Sequence, residues 1–227
     1  MTFSLIVLSA LAAAIGNLMM RKNLDRRGTP NAYLAYFFLF SLLFSLFLIN
    51  PWKAQETFSL RMFLVGAITG GMNFLMMRLT NRCLQIGPSG LTFAFQNAGS
   101  IVPPILLFIL FGPPFGFGFS LSLFLGIAIL LWGLYLSAKS ESSKPYAFKP
   151  WIITALAMFT AQGLAQTLLQ WRALLINPQE ASHALIPWSC FCGEEIWFLP
   201  GFFLLPTLLQ MGVFYGTEQR FGKFSEI

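Results

Sequence analysis

Gln162, Gln166 and Gln170 recur at every fourth position of an otherwise apolar run. On a helix that spacing sets three amides roughly along one face. An amide both donates and accepts hydrogen bonds. Such a face can therefore line a cavity for a polar solute, or it can staple one helix to another, each interhelical bond contributing roughly 0.6 kcal/mol. The same two roles are open to Asn17, Asn73 and the adjacent Gln96 and Asn97, which also interrupt apolar segments. Asn17, Asn73, Gln96, Asn97, Gln162 and Gln166 form the candidate substrate-binding set. Glu194 and Glu195 are the candidate proton-coupling groups. Burial favours the protonated form of a carboxyl, so a carboxyl at mid-bilayer could exchange its proton near neutrality. Neighbouring helix positions point about 100° apart, so the two cannot share one role. The alternative is that the pair marks the membrane surface just before Ile196.

Other chemistry is not indicated. The chain has no phosphate-cradling loop, no nucleophile and base pair, and no His/Cys cluster for a metal. Cys83, Cys190 and Cys192 are odd in number and lack a second ligand pair, so they read as apolar packing residues. The lone His183 has no ligand partners. The expectation is a protein that is not an enzyme and needs no cofactor.

The elements that must position these side chains are membrane helices. No Lys, Arg, Asp, Glu or His occurs between Arg82 and Lys139. That stretch is long enough to cross a bilayer twice, since one crossing takes about 20 apolar residues, and it carries its own break at Gly112-Pro113-Pro114. Hydrophobic residues make up 56% of the 227 and charged residues 10%, and mean hydropathy is +0.70. A water-soluble fold could not hide that much apolar surface. The net charge of +6 does not point to nucleic acid, because the basic residues sit in short clusters between apolar runs, where membrane proteins carry orientation signals and headgroup anchors.

Spans are expected at 3–20, 32–49, 60–79, 91–111, 119–138 and 150–171. Residues 5–15 resemble a signal h-region, but no positive charge precedes them and the Arg/Lys cluster follows, so they read as a retained span. A seventh span lies at 184–205, with both glutamates near mid-bilayer, or at 196–215, with them at the surface. Within 60–79, Gly66-x-x-x-Gly70-Gly71 offers a flat strip for close helix approach. Arg78 and Arg82 share a face at its end, as headgroup anchors or as attractors of an anionic solute. Pro103-Pro104 interrupts the fourth span and frees backbone carbonyls, which is tolerated where they line a cavity; a packing kink is the other reading.

A weak internal repeat joins the two ends. Ser9-Ala10-Leu11-Ala12 is echoed by Thr154-Ala155-Leu156-Ala157, Thr29-Pro30 by Asn177-Pro178, and Gly66 and Gly70 by Gly212 and Gly216. Five spans, a polar linker and a second partial copy would follow, the copy lying upside down because five is odd. Inverted copies with a solute held between them are a transporter arrangement. The division is 1–138, linker 139–149 and 150–227.

The stretch from Gly87-Pro88-Ser89-Gly90-Leu91 through Gln96-Asn97 and Pro103 to Gly112 resembles the fourth helix of the EamA-like drug/metabolite transporters. Pro113 stands where that family usually has an acidic residue. Gly126 to Leu136 is similar to the family's closing helix. The resemblance covers the first five spans well and the rest thinly. It implies a five-helix unit used twice, ten helices in a complete member, and hence here a shortened member or one completed by association with another copy. The function it implies is secondary transport of small polar metabolites across the cell membrane by alternating access. A non-transporting scaffold or assembly partner is the alternative. The expected fold is all-α, a polytopic bundle of about seven helices, with lipid and a small solute as partners, a homo-oligomer as an option, and no nucleic acid. Eleven basic residues lie on one side of this topology and three (Lys53, Arg61, Arg172) on the other, which by the positive-inside rule puts the N-terminus outside.

Overall fold

The computed structural model describes residues 11, 14–16, 18–22, 30–49, 58–111, 121–141, 148–176 and 196–218. All of them that belong to regular structure are helical. In chain order the α-helices are α1 (Pro30–Ile49), α2 (Leu60–Ile86), α3 (Ser89–Ala98), α4 (Val102–Phe111), α5 (Leu121–Glu141), α6 (Phe148–Ile176) and α7 (Phe198–Glu218). Residues 14–16 and 18–22 are helical as well. A 3-10 turn, Gly99–Ile101, joins α3 to α4, so one apolar span is built from two helical halves.

Four stretches are long and apolar enough to cross a membrane: Leu60–Ile86, Ser89–Leu110, Phe148–Arg172 and Phe198–Gly216. Two shorter apolar helices lie at Asn31–Phe47 and Phe124–Leu136. Large side chains such as Phe40, Phe47, Leu121, Ile129, Trp132 and Ile153 face outward. Water would penalise so continuous an apolar exterior; hydrocarbon does not. The chain is an all-helical, multi-pass membrane bundle. The last helix matches the 196–215 placement of the seventh span. Glu194 and Glu195 precede it and lie outside the described residues, as do the N-terminal part of the first span and Asn17.

α2 is the hub. It begins at Ser59, whose hydroxyl accepts from the Met62 N–H at 3.5 Å, and runs seven residues beyond the expected end at 79. Packing explains the extension. Leu84 joins Leu34 and Phe38 of α1 in one buried cluster. Cys83 joins Trp151, Ala155 and Met158 of α6 in another. Gly87 then stops the helix, its N–H on the Cys83 carbonyl at 2.9 Å. A Cβ at Gly87 would strike the Trp151 indole, so only glycine lets α6 come this close.

The neighbours of α2 are distant in sequence. α7 packs along it, and α6 packs on it and on the α3–α4 span. α7 also lies against α1, so the last described helix fills the groove between α1 and α2. The α2–α7 seam is made by small residues. A Cβ on Gly66 would collide with the Phe198 carbonyl, one on Gly70 with the Phe202 carbonyl, and one on Gly201 with the Phe63 carbonyl. The expected Gly66/Gly70 strip is therefore a close-approach surface, and Gly201 answers it from α7. Pro206 contributes too. It has no N–H to give to the Phe202 carbonyl four residues back, and this carbonyl lies on Gly70, where a Cα–H can take up part of its bonding.

These contacts rise together along both helices, so α7 runs parallel to α2. An upside-down copy of α2 would run antiparallel. The match of Gly66 and Gly70 with Gly212 and Gly216 therefore does not relate α2 to α7 by inversion, and Gly212 and Gly216 are exposed with open space around them. In direction α7 opposes α1.

Threonines are satisfied locally. The hydroxyls of Thr69, Thr80, Thr92, Thr167 and Thr207 each donate to the carbonyl four residues earlier, at 2.7–2.9 Å. Buried amides have no such local option, and among the described residues Asn81, Gln96, Gln170 and Gln210 each keep an unmet side-chain oxygen.

Candidate functional site

The C-terminal third of α2 carries Arg78, Asn81, Arg82 and Gln85. The spacing i, i+3, i+4, i+7 gathers them on one helix face. Opposite, Asn31 stands in the first turn of α1. These five and Leu79 line a cavity of about 380 Å³. Arg78 Nη1 donates to Asn31 Oδ1 at 3.0 Å, and Gln210 Nε2 of α7 donates to the Asn31 main-chain carbonyl at 3.0 Å. Asn31 thus ties three helices together beneath the cavity. The Arg78 guanidinium also lies 6.0 Å from the Phe74 ring centre, at the outer limit of a cation–π contact.

The electrostatics are one-sided. Arg78 and Arg82 line the cavity, and among the described residues no carboxylate does. Arg21 reaches the same end of the bundle, its Nη1 3.3 Å from the Leu84 carbonyl. Lys149 lies there as well, at the start of α6. Arg61 and Arg172 belong to the opposite end. The uneven division of basic charge read from the sequence thus holds along the bundle axis for these described residues.

Asn81 is only 8% exposed, and its side-chain oxygen has no donor among the described residues. Gln210 is fully buried, and its side-chain oxygen is likewise unmet. A buried amide atom left without a partner costs about 1–3 kcal/mol, so these positions favour anything polar that can reach them.

The described members of the expected substrate set, Asn73, Gln96, Asn97, Gln162 and Gln166, differ in placement. Gln96 is buried on α3, with Nε2 3.4 Å from the Met76 sulfur and Oε1 unmet. Gln162 packs its Cβ and Cγ against Gly99, beside the 3-10 turn. Gln162 thus reaches the 3-10 turn from α6 with its aliphatic stem, while Gln96, one turn before it, sends its amide to Met76 of α2. Asn97 is exposed on the outer side of α3. Asn73 and Gln166 are half-buried, and Gln170 holds an unmet side-chain oxygen. At the break, Pro103 and Pro104 lack the N–H groups that the Ser100 carbonyl would take from positions i+3 and i+4. Gly163 of α6 packs against Val102 there.

Two features escaped the sequence reading. Asn81 and Gln85 extend the Arg78/Arg82 face, a polar stripe visible in their spacing. Arg172 was counted with a sparse outer loop. It lies in α6, 3% exposed, with its guanidinium carbon 4.7 Å over the Phe198 ring. Only helix α6 running past 171 would have revealed that. Phe58 and Trp197 meet edge to face at 4.9 Å on α7's N-terminal side, closing the same end.

No family model, curated protein or solved structure matches this chain.

Proposed function

We propose that this membrane protein is a secondary carrier of small polar solutes in the cell membrane, working by alternating access. The observation that carries the reading is the broken α3–α4 span. A helix that tightens to a 3-10 turn at mid-span, with a Ser100 carbonyl freed by Pro103 and Pro104 and the buried Gln96 one turn before it, is the kind of backbone that membranes tolerate where it lines a solute path. Gln162 against Gly99 supplies a second amide from α6. The opposed directions of α7 and α1 are what an inverted second unit would require of its second helix. The EamA-like resemblance of residues 87–112 points the same way and suggests metabolite-sized solutes. Glu194 or Glu195 would supply the coupling proton.

Purified protein in liposomes should take up members of a broad polar-metabolite panel saturably. Replacing Gln96 and Gln162 with Leu should abolish uptake without unfolding the bundle. No saturable flux across the panel refutes the carrier. A second reading, a non-transporting assembly partner, is favoured by Asn97, exposed on α3 at span depth, where a helix of another protein or another copy would satisfy its amide. Co-purification of a stoichiometric partner, with no flux, is its signature.

A further inference from the structure

We propose that the cavity between α1 and the end of α2 is a binding site for a phosphate-type oxyanion. Arg78 and Arg82 sit one turn apart on one face and both line it. A guanidinium presents five N–H donors in a fixed fork suited to oxyanions. Arg78 commits one of them to Asn31 at 3.0 Å, which fixes the side chain and leaves the other edge of the fork for a ligand. Arg82 is exposed and is held by no bond among those described, so its fork can close over a bound group. Among the described lining residues no carboxylate competes for either.

Asn81 sharpens the ligand class. It is more than nine-tenths buried, lines the cavity and holds an oxygen without a donor. A phosphate offers acceptor oxygens to the arginines, and its P–OH, or a hydroxylated substituent, becomes a donor to the Asn81 oxygen once that side chain, closed off in this conformation, turns toward the cavity it lines. A bare halide would leave Asn81 unmet. About 380 Å³ leaves room for a phosphate with a small substituent.

Depth agrees with that chemistry. α2 has 27 residues and is about 40 Å long at 1.5 Å per residue, whereas the hydrocarbon is about 30 Å thick. The end bearing Arg78 to Gln85 therefore reaches the headgroup layer. The shared ligand is a phosphate oxyanion, and its source is either a lipid headgroup or a free phosphoester. The site does not depend on solute transport, since a bundle that carries nothing can hold it.

Protein in neutral detergent should be titrated with inorganic phosphate and glycerol 3-phosphate, and separately with phosphatidylglycerol against phosphatidylcholine. Binding would be followed by native mass spectrometry. Retention of phosphatidylglycerol over phosphatidylcholine, weakened at least about tenfold in R82Q, identifies the headgroup. Saturable binding of glycerol 3-phosphate with the same loss identifies the free phosphoester. R82Q changes an exposed side chain, so the fold should persist; R61Q at the opposite end is the charge-matched control. N81L should weaken binding without changing net charge. Absence of binding by all four probes overturns the proposal, and so does equal loss in R61Q and R82Q.

Discussion

Replacing Gly66 with alanine puts one methyl group into the α2–α7 seam. The new Cβ meets the Phe198 carbonyl oxygen and carbon and the Phe202 nitrogen. All three are backbone atoms, so no rotamer change can make room and the helices must move apart. Over-packing of that kind costs about 1–3 kcal/mol. Alanine also favours helix over glycine by about 1 kcal/mol in water, which partly masks the cost. Gly212→Ala removes the mask. It lies in the same helix pair, exposed, with nothing within 4 Å of its Cβ, so it takes the propensity term alone. The difference between G66A and G212A should therefore be the over-packing cost, about 1–3 kcal/mol. Unfolding by SDS in mixed micelles, followed by tryptophan fluorescence, measures it, with Trp151 and Trp197 as reporters on α6 and at the start of α7. If G66A proves as stable as G212A, the close parallel packing of α2 on α7 is refuted.

Three further substitutions test other contacts. Thr92→Val removes the acceptor of the Trp151 Nε1–H, 3.1 Å away and fully buried, and should cost about 1–3 kcal/mol because the indole N–H is left unmet; Trp151→Phe should cost less, since no donor is stranded. Gln210→Leu deletes a bond to the Asn31 carbonyl but also removes an unmet oxygen, so the same denaturation should register less than about 1 kcal/mol. Arg172→Met keeps the stem and loses the cation over Phe198, and should lower stability by roughly 2 kcal/mol; an unchanged midpoint would mean that the guanidinium stays wetted.

Helix existence was legible in the sequence because hydrocarbon demands long apolar runs, and the observed helices at 30–49, 60–86, 89–111, 121–141, 148–176 and 198–218 answer the expected spans. The Gly66/Gly70 strip was legible for a related reason, since closely spaced glycines have little use in a membrane helix except close approach. Neighbour order was not. Lipid tails are as apolar as leucine, so no hydrophobic stripe marks which face of α7 meets α1 and which meets α2. The amide set fared unevenly. Gln162 reaches the 3-10 turn and Gln96 lies buried one turn before it, but Asn97 points outward, because consecutive helix positions cannot share a face. The stripe at 78, 81, 82 and 85 was half seen. Two arginines stood out as charges, while Asn81 and Gln85 gained meaning only when Asn31 closed the other wall.

The place of α7 between α1 and α2 bears on biogenesis. A ribosome finishes α2 more than a hundred residues before it begins α7, roughly ten seconds at about 5–20 residues per second. Throughout that interval the nascent chain holds an open slot lined by Gly66, Gly70, Leu34 and Phe38, with the Asn31 carbonyl still awaiting Gln210. Lipid or the insertion machinery must occupy that slot until the last wedge arrives, so premature termination after α6 would leave a complete set of early helices with nothing to lock them.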